Sequence, residues 1–125
     1  LNYLGYTWIE KGKYLSTSLE MIQKAVELSP NSGAIIDSLG WAYYKLGNLK
    51  KAKFNLEAAV ELSPTSATII DHLGDIYWVI GRKKEAMYQW ERALNYNPTK
   101  KEKNYILEKL DGKFVYQHHD IGVQS

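Results

Sequence analysis

Two carboxylates and a histidine in the middle of the sequence are the first candidates for chemistry. Asp71 and Asp75 are four residues apart, so in a helix they lie on one face, with His72 beside them. Paired carboxylates can act as a general acid and base, and an Asp/His cluster can bind a metal ion. However, no nucleophile accompanies them, and an open helical surface gives little desolvation to shift their pKa values. We therefore expect these side chains to line a binding surface, not to catalyse a reaction.

A second candidate is the run His118-His119-Asp120 near the C-terminus. Adjacent residues on a tail rarely form a closed metal site, because the ligands must converge from different directions. The chain has no cysteine, which excludes thiolate sites and disulfides. Phosphate-binding loops and nucleophile elbows are also absent from the sequence. The sequence therefore predicts no catalytic residue, no cofactor and no metal.

The elements that position these residues follow from a 34-residue period. Pro30, Pro64 and Pro98 have this spacing. Several other residue types recur at the same interval: Gly40 and Gly74, Gly47 and Gly81, Tyr43 and Tyr77, Asp37 and Asp71, Leu28 and Leu62, and Ala25, Ala59 and Ala93. Self-similarity at such a period is typical of a helical repeat array.

Each period contains two amphipathic helical patterns separated by a glycine. The helices predicted from the apolar spacing are Ala34–Leu46, Lys50–Leu62, Ala67–Ile80 and Lys84–Tyr96. Proline ends each unit, because it disfavours helical geometry in the residue before it. Gly40 and Gly74 fall inside helices, where glycine costs about 1 kcal/mol relative to alanine. Their recurrence predicts that a neighbouring helix passes too close for a side chain.

The two ends of the array depart from this pattern. The first unit begins late and has one extra residue between Gly12 and Ser18. After Pro98, residues 100–110 predict a final amphipathic helix with Tyr105, Ile106 and Leu110 facing inward and its lysines facing solvent, as a solenoid needs to close its last face. Residues 113–125 lack a helical period and are predicted to be a flexible tail.

The pattern resembles the tetratricopeptide repeat family. The matching positions are Leu39, Gly40, Tyr43, Ala52, Ala59 and Pro64 in the second unit, and Leu73, Gly74, Tyr77, Ala86, Ala93 and Pro98 in the third. The resemblance implies an all-α, right-handed alpha-alpha superhelix, with a domain at 1–112, repeats at about 1–31, 32–65 and 66–99, and a capping helix at about 100–110. The sequence of residues 37–44 is similar to that of bacterial members of the family. Because the chain opens with Leu1 inside a helical pattern, we interpret it as a fragment of a longer bacterial protein.

The resemblance also implies a concave groove lined by the first helix of each pair. The predicted peptide-binding residues are Tyr6, Glu10, Asp37, Trp41, Tyr44, Asp71, His72, Asp75 and Trp78. This surface is rich in aromatic side chains, which are common at binding hot spots. It is also acidic, which favours a basic or amino-terminal segment as the ligand. The alternative is that Trp41 and Trp78 pack against the neighbouring unit and the acidic residues are simply solvated.

These features predict a scaffold that binds a protein or peptide in the groove and is not an enzyme. Two alternatives stay open: a structural module that self-assembles through its N-terminal end, and a docking arm of a larger parent protein. The acidic groove excludes the mode in which some family members clamp a C-terminal carboxylate with basic residues. Nucleic acid is not expected, because the net charge is only +2 and the lysines near the turns suit a solvated edge. No apolar run is long enough to span a bilayer, and the compartment, cytoplasmic or periplasmic, is undecided.

Overall fold

The computed structural model describes residues 17–114, which form six helices and no strand. Helix α1 covers residues 17–28 of that range. The other five are α2 (Gly33–Leu46), α3 (Leu49–Leu62), α4 (Ala67–Val79), α5 (Lys83–Ala93) and α6 (Lys100–Leu110). The features predicted before residue 17 and after residue 114 lie outside the described residues. The exact limits of the three repeats therefore stay a prediction.

The helix ends follow from short-range hydrogen bonding. The Ser32 and Ser66 hydroxyls cap α2 and α4, each accepting a hydrogen bond of 3.3 Å from a backbone N–H three residues ahead. Thr99 and Glu102 form a reciprocal capping box at the start of α6. Gly47 ends α2 with a φ of 85°, in the left-handed region that glycine adopts without strain. Local residues therefore set the ends of these helices.

The helices pack as successive antiparallel pairs. Helix α2 packs closely on α3, α4 on α5, and α3 joins the two pairs by contacting α4. One polar contact recurs with the 34-residue period: Gln23 donates to the Tyr43 hydroxyl at 3.0 Å, and Tyr77 donates to the Glu57 carboxylate at 2.6 Å. The small residues of the second helices (Ala52, Ala59, Ala86 and Ala93) are fully buried at these contacts. The predicted all-α repeat fold is confirmed.

The two mid-helix glycines lie where the backbone of the paired helix approaches closely. A Cβ atom at Gly40 would lie 3.3 Å from the carbonyl oxygen of Ala52 and would overlap the Leu56 side chain. A Cβ atom at Gly74 would lie 3.2 Å from the carbonyl oxygen of Ala86 and 2.5 Å from the Trp90 ring. The predicted close approach is confirmed, and it explains why glycine is kept at a position where alanine favours the helix.

Gly74→Ala is expected to destabilise the protein despite its better helix propensity. The gain of about 1 kcal/mol in propensity is outweighed by overpacking against a backbone carbonyl and a buried ring, so we expect a net loss of about 1–2 kcal/mol. Urea denaturation followed by circular dichroism measures the change. The control is Ser38→Ala, at an exposed position inside α2, which should be neutral or slightly stabilising. Equal effects of the two substitutions would contradict the close-approach account.

Helix α5 ends earlier than predicted. The prediction placed its end at Tyr96, whereas the helix ends at Ala93. Beyond it the bonds tighten to three-residue spacing, from the Asn95 N–H to Arg92 and from the Tyr96 N–H to Ala93. Asn97 then takes a φ of 53°. The proline at 98 blocks only the residue before it, so it sets the latest possible end of the helix and not the actual one.

Candidate functional site

A cleft of about 590 Å³ lies between α2, α4 and α6. Its walls combine aromatic side chains with charges of both signs. The lining residues are Trp41, Thr68, Asp71, His72, Asp75, Lys101, Glu102, Tyr105, Glu108, Lys109, Lys113 and Phe114. The first helices of the two described pairs therefore supply one side of the cleft, and the final helix supplies the other.

Lys109 of α6 forms two ion pairs with α4. Its Nζ lies 2.5 Å from a carboxylate oxygen of Asp71 and 2.8 Å from a carboxylate oxygen of Asp75. The three side chains are only 10–13% exposed. Opposite charges that are this close together and shielded from water attract each other far more strongly than a surface pair. The cost of removing them from water opposes this gain in stability.

Asp75 has a second partner at the same carboxylate oxygen, Oδ1. The indole N–H of the fully buried Trp90 donates to Asp75 at 3.0 Å. In the preceding repeat the positions 34 residues earlier hold Trp41 and Leu56. The third unit thus places a large aromatic ring on its second helix and a carboxylate on its first, and the indole N–H compensates for the buried carboxylate.

His72 connects this cluster to α2. Its Nδ1 lies 2.8 Å from the Asp37 carboxylate. The Trp41 ring stacks on the imidazole with centroids 4.0 Å apart, and the Tyr44 ring stacks on Trp41 with centroids 4.5 Å apart. The imidazole is therefore held by a carboxylate at its edge and an aromatic ring at its face, and its orientation is fixed.

Burial and mutual charge shift the pKa values of the cluster. Burial, together with the nearby charge of Asp71, raises the pKa of Asp75 to about 6, against the lowering effect of Lys109. Burial also raises the pKa of Asp71, which Lys109 again opposes. Burial alone would lower the pKa of His72, but the hydrogen bond and charge of Asp37 outweigh it and raise that pKa. The cluster therefore binds protons more tightly than the same groups do in water.

The structure corrects the predicted groove in several respects. Asp75 and Tyr44 were predicted to be exposed, but they are only 7% and 5% exposed. Little desolvation was expected at Asp71 and Asp75, whereas both are buried under α6. Simple solvation of the acidic residues is therefore also wrong. Tyr6 and Glu10 lie outside the described residues.

The two tryptophans behave differently from each other. Trp41 packs on His72 of the neighbouring pair, as the alternative reading of the groove anticipated, and it also lines the cleft. Trp78 stays within its own pair, 5.5 Å from the Trp90 ring, with the Lys83 ammonium 4.9 Å from its ring centroid. It is not among the residues that line the cleft.

Sequence reasoning missed the contribution of α6. Its lysines were predicted to face solvent, but Lys109 points into the cluster and pairs with Asp71 and Asp75. Tyr105 was predicted to face inward, but it is 55% exposed on the cleft wall. The signal was available: Lys109 follows Asp75 by 34 residues. Extending the repeat register past Pro98 would have placed it on the concave face.

Comparison with known proteins bears on the same region. The sequence profile of the tetratricopeptide repeat matches residues 35–66, which hold the α2–α3 pair. This part of the chain is therefore similar to one tetratricopeptide repeat unit. A TPR repeat-containing protein of the bacterium Pseudomonas aeruginosa is 42% identical over 53 residues, which are 42% of this chain. The chain matches only 9% of the length of that relative.

Tetratricopeptide repeats are in general non-enzymatic modules for protein–protein interaction.

Within residues 17–114, no group of three or more histidine, aspartate or glutamate side chains is placed to hold a metal ion. Over the same residues, no helix has the length and apolar character needed to cross a bilayer. The bacterial character of the relative agrees with the predicted likeness to bacterial members.

Proposed function

We propose that this tetratricopeptide repeat domain binds a peptide segment of a partner protein in the cleft between α2, α4 and α6, without catalysis. The observation that carries the proposal is the cleft itself, a concave space of about 590 Å³ with aromatic walls. Trp41 is half-buried and Tyr105 is more than half exposed on opposite sides of it. Rigid aromatic side chains on a concave surface give large contact area at low entropic cost.

The charges of the cleft bear on the kind of segment it accepts. Lys109 already satisfies Asp71 and Asp75, and Glu102 is held by Thr68 and Thr99. Glu108 is exposed on the cleft wall and is the carboxylate most accessible to a ligand. The proposed basic segment would therefore be attracted mainly by Glu108. Charge reversal at Asp71 would test folding instead of binding.

A non-catalytic role is supported by the partners of the paired carboxylates. A general acid or base must be able to reach the proton it transfers. The Oδ1 atom of Asp75 accepts hydrogen bonds from Trp90 at 3.0 Å and from Lys109 at 2.8 Å. These contacts give both carboxylates a structural use, because they fasten α6 to α4.

A pair of exposed tyrosines provides the test of the binding site. Tyr105 lines the cleft, while Tyr88 on α5 is 63% exposed and does not. Peptides selected from a random phage-displayed library on the wild-type chain should lose about tenfold in affinity with Tyr105→Ala, as for a contact worth more than 1 kcal/mol. They should bind Tyr88→Ala unchanged. Fluorescence anisotropy of the labelled peptides gives both values, and circular dichroism checks that each variant is folded.

The proposal fails if the selected peptides bind Tyr105→Ala as tightly as the wild type, or if Tyr88→Ala is the variant that weakens their binding.

A further variant tests the chemistry of the segment. Glu108→Lys should weaken peptides that contain lysine or arginine and leave neutral peptides unaffected. The alternative of self-assembly through the N-terminal end involves residues outside 17–114. Sedimentation at increasing concentration tests it.

A further inference from the structure

Helix α6 is fastened more lightly than the helices before it. It follows α5 as α4 follows α3, but it packs less closely on its neighbour. Only Ile106 is buried along its length, whereas α4 buries most of one face. A helix with so little buried apolar surface gains little from packing. Its attachment therefore depends to an unusual degree on polar contacts.

Those polar contacts converge on α4. Lys109 pairs with Asp71 and Asp75 near the end of α6, and Glu102 accepts a hydrogen bond from Thr68 near its start. Lys109 also lies over the Trp90 ring, with its ammonium 5.5 Å from the centroid. If α6 moves away, water reaches both carboxylates and the ammonium loses all three neighbours.

The charges enclosed under α6 do not balance when every group is ionised. Two carboxylates, those of Asp71 and Asp75, face one cation, Lys109, while Asp37 of α2 balances protonated His72. The other charged groups that line the cleft are Lys101, Glu102, Glu108 and Lys113. A buried cluster with excess negative charge favours the uptake of a proton.

We propose that α6 is a detachable cap whose docking onto α4 is coupled to proton binding by Asp71 and Asp75, so that it docks more tightly at mildly acidic than at alkaline pH. The geometry that supports this is a lightly packed helix held mainly by an ion-pair cluster with one carboxylate in excess. The groups that would make docking pH-dependent are all side chains of this chain.

The direction of the effect follows from proton linkage. Burial raises the pKa of Asp75 from 3.8 to about 6 and raises the pKa of Asp71 as well. The raised pKa of His72 comes mainly from Asp37 of α2, so it does not depend on α6. The docked state therefore holds more protons, and its advantage is present below the ordinary pKa values and is lost as pH rises through about 6 and above. Glu102 acts in the opposite direction, because its hydrogen bond with Thr68 lowers its pKa, and its contribution is lost only in stronger acid.

Native-state hydrogen exchange of the full chain tests this proposal helix by helix. Protection factors, corrected for the intrinsic pH dependence of exchange, are measured between pH 5 and pH 8. We expect protection of the α6 amides to fall at least about tenfold over this range, with α2 and α3 nearly unchanged. Asp75→Asn should remove most of the fall, because the amide keeps an acceptor for Trp90 but cannot titrate. Asp111→Asn, at an exposed carboxylate just after α6, is the matched control and should keep the whole fall.

Three outcomes would overturn the proposal. The first is protection of α6 that is constant or increases with pH, and the second is an unchanged fall in Asp75→Asn. The third is a parallel loss in all helices, which would mean that the whole domain, not α6, responds to pH. The consequence for ligands, loss of the Tyr105 wall when α6 leaves, rests on the peptide-binding function proposed above. The exchange experiment measures the docking of α6 alone, whereas the anisotropy experiment measures peptide binding. Either proposal can therefore fail without affecting the test of the other.

Discussion

Trp90→Ala is expected to destabilise the domain by about 3–5 kcal/mol, the range for removing a large aromatic side chain from a core. Trp90 is fully buried and fills the space left by Gly74. Its ring also lies 5.5 Å from Trp78 and 5.7 Å from Phe114. Alanine would leave a cavity and would also deprive the buried Asp75 of its indole donor. Urea denaturation followed by circular dichroism gives the change in the free energy of unfolding.

Trp90→Phe separates the two parts of this effect. Phenylalanine retains much of the ring but lacks the N–H group, so the loss should be smaller, about 1.5–3 kcal/mol for one hydrogen bond to a charged group. Lys109 still donates to the same Asp75 oxygen in this variant. The additional loss in the alanine variant then reports the cavity. If alanine and phenylalanine are equally destabilising, the cavity is unimportant and our account of the Gly74–Trp90 contact is incorrect.

Lys109→Met is expected to be the second most damaging single change, with a loss of about 2–3 kcal/mol. Methionine has a similar length and is apolar, so the packing of the side chain is largely kept. What is lost is the only cation that contacts Asp71 and Asp75 in the described structure. Removing one partner of a buried ion pair is costly because the remaining charge stays desolvated. The loss should concentrate in α6 and show in its hydrogen-exchange protection.

Lys103→Met is the matched control, since Lys103 lies on α6 and is exposed. It should change the stability by no more than about 0.5 kcal/mol, as expected for a surface site. The double variant Lys109→Met/Asp75→Asn should recover part of the stability, because one uncompensated charge is gone. Equal stability of the Lys109→Met and Lys103→Met variants would show that the ion pairs contribute nothing, and the double variant would then have nothing to recover.

The fold was predictable because its determinants are local and periodic. The spacing of Pro30, Pro64 and Pro98 sets the unit length, and the glycines mark where helices touch or turn. These constraints act through backbone geometry, which a sequence displays directly. The early end of α5 was not predictable, because proline restricts only Asn97. Which earlier residue ends the helix depends on tertiary packing.

The site was only partly predictable. The repeat register correctly relates Asp37 to Asp71 and Trp41 to Asp75, but it says nothing about which helix covers them. Burial of Asp75 depends on Trp90, a residue on another helix whose counterpart in the preceding unit is Leu56. Lys109 was missed because the apolar pattern, not the repeat register, was used beyond Pro98. Charged residues that face inward oppose the apolar pattern, and only their partners in space reveal them.

The exchange of Trp41 for Asp75 at the same register position has a consequence for how such an array can evolve. An unequal recombination that duplicated residues 66–99 would place a second copy of Asp75 where Lys109 now stands. The copy of Asp75 would then face Asp75 in place of the Lys109 ammonium, and like charges shielded from water repel. A duplication of the second unit would instead repeat a Trp41-type position and create no such conflict. We therefore expect duplication of the second unit to destabilise the array less than duplication of the third.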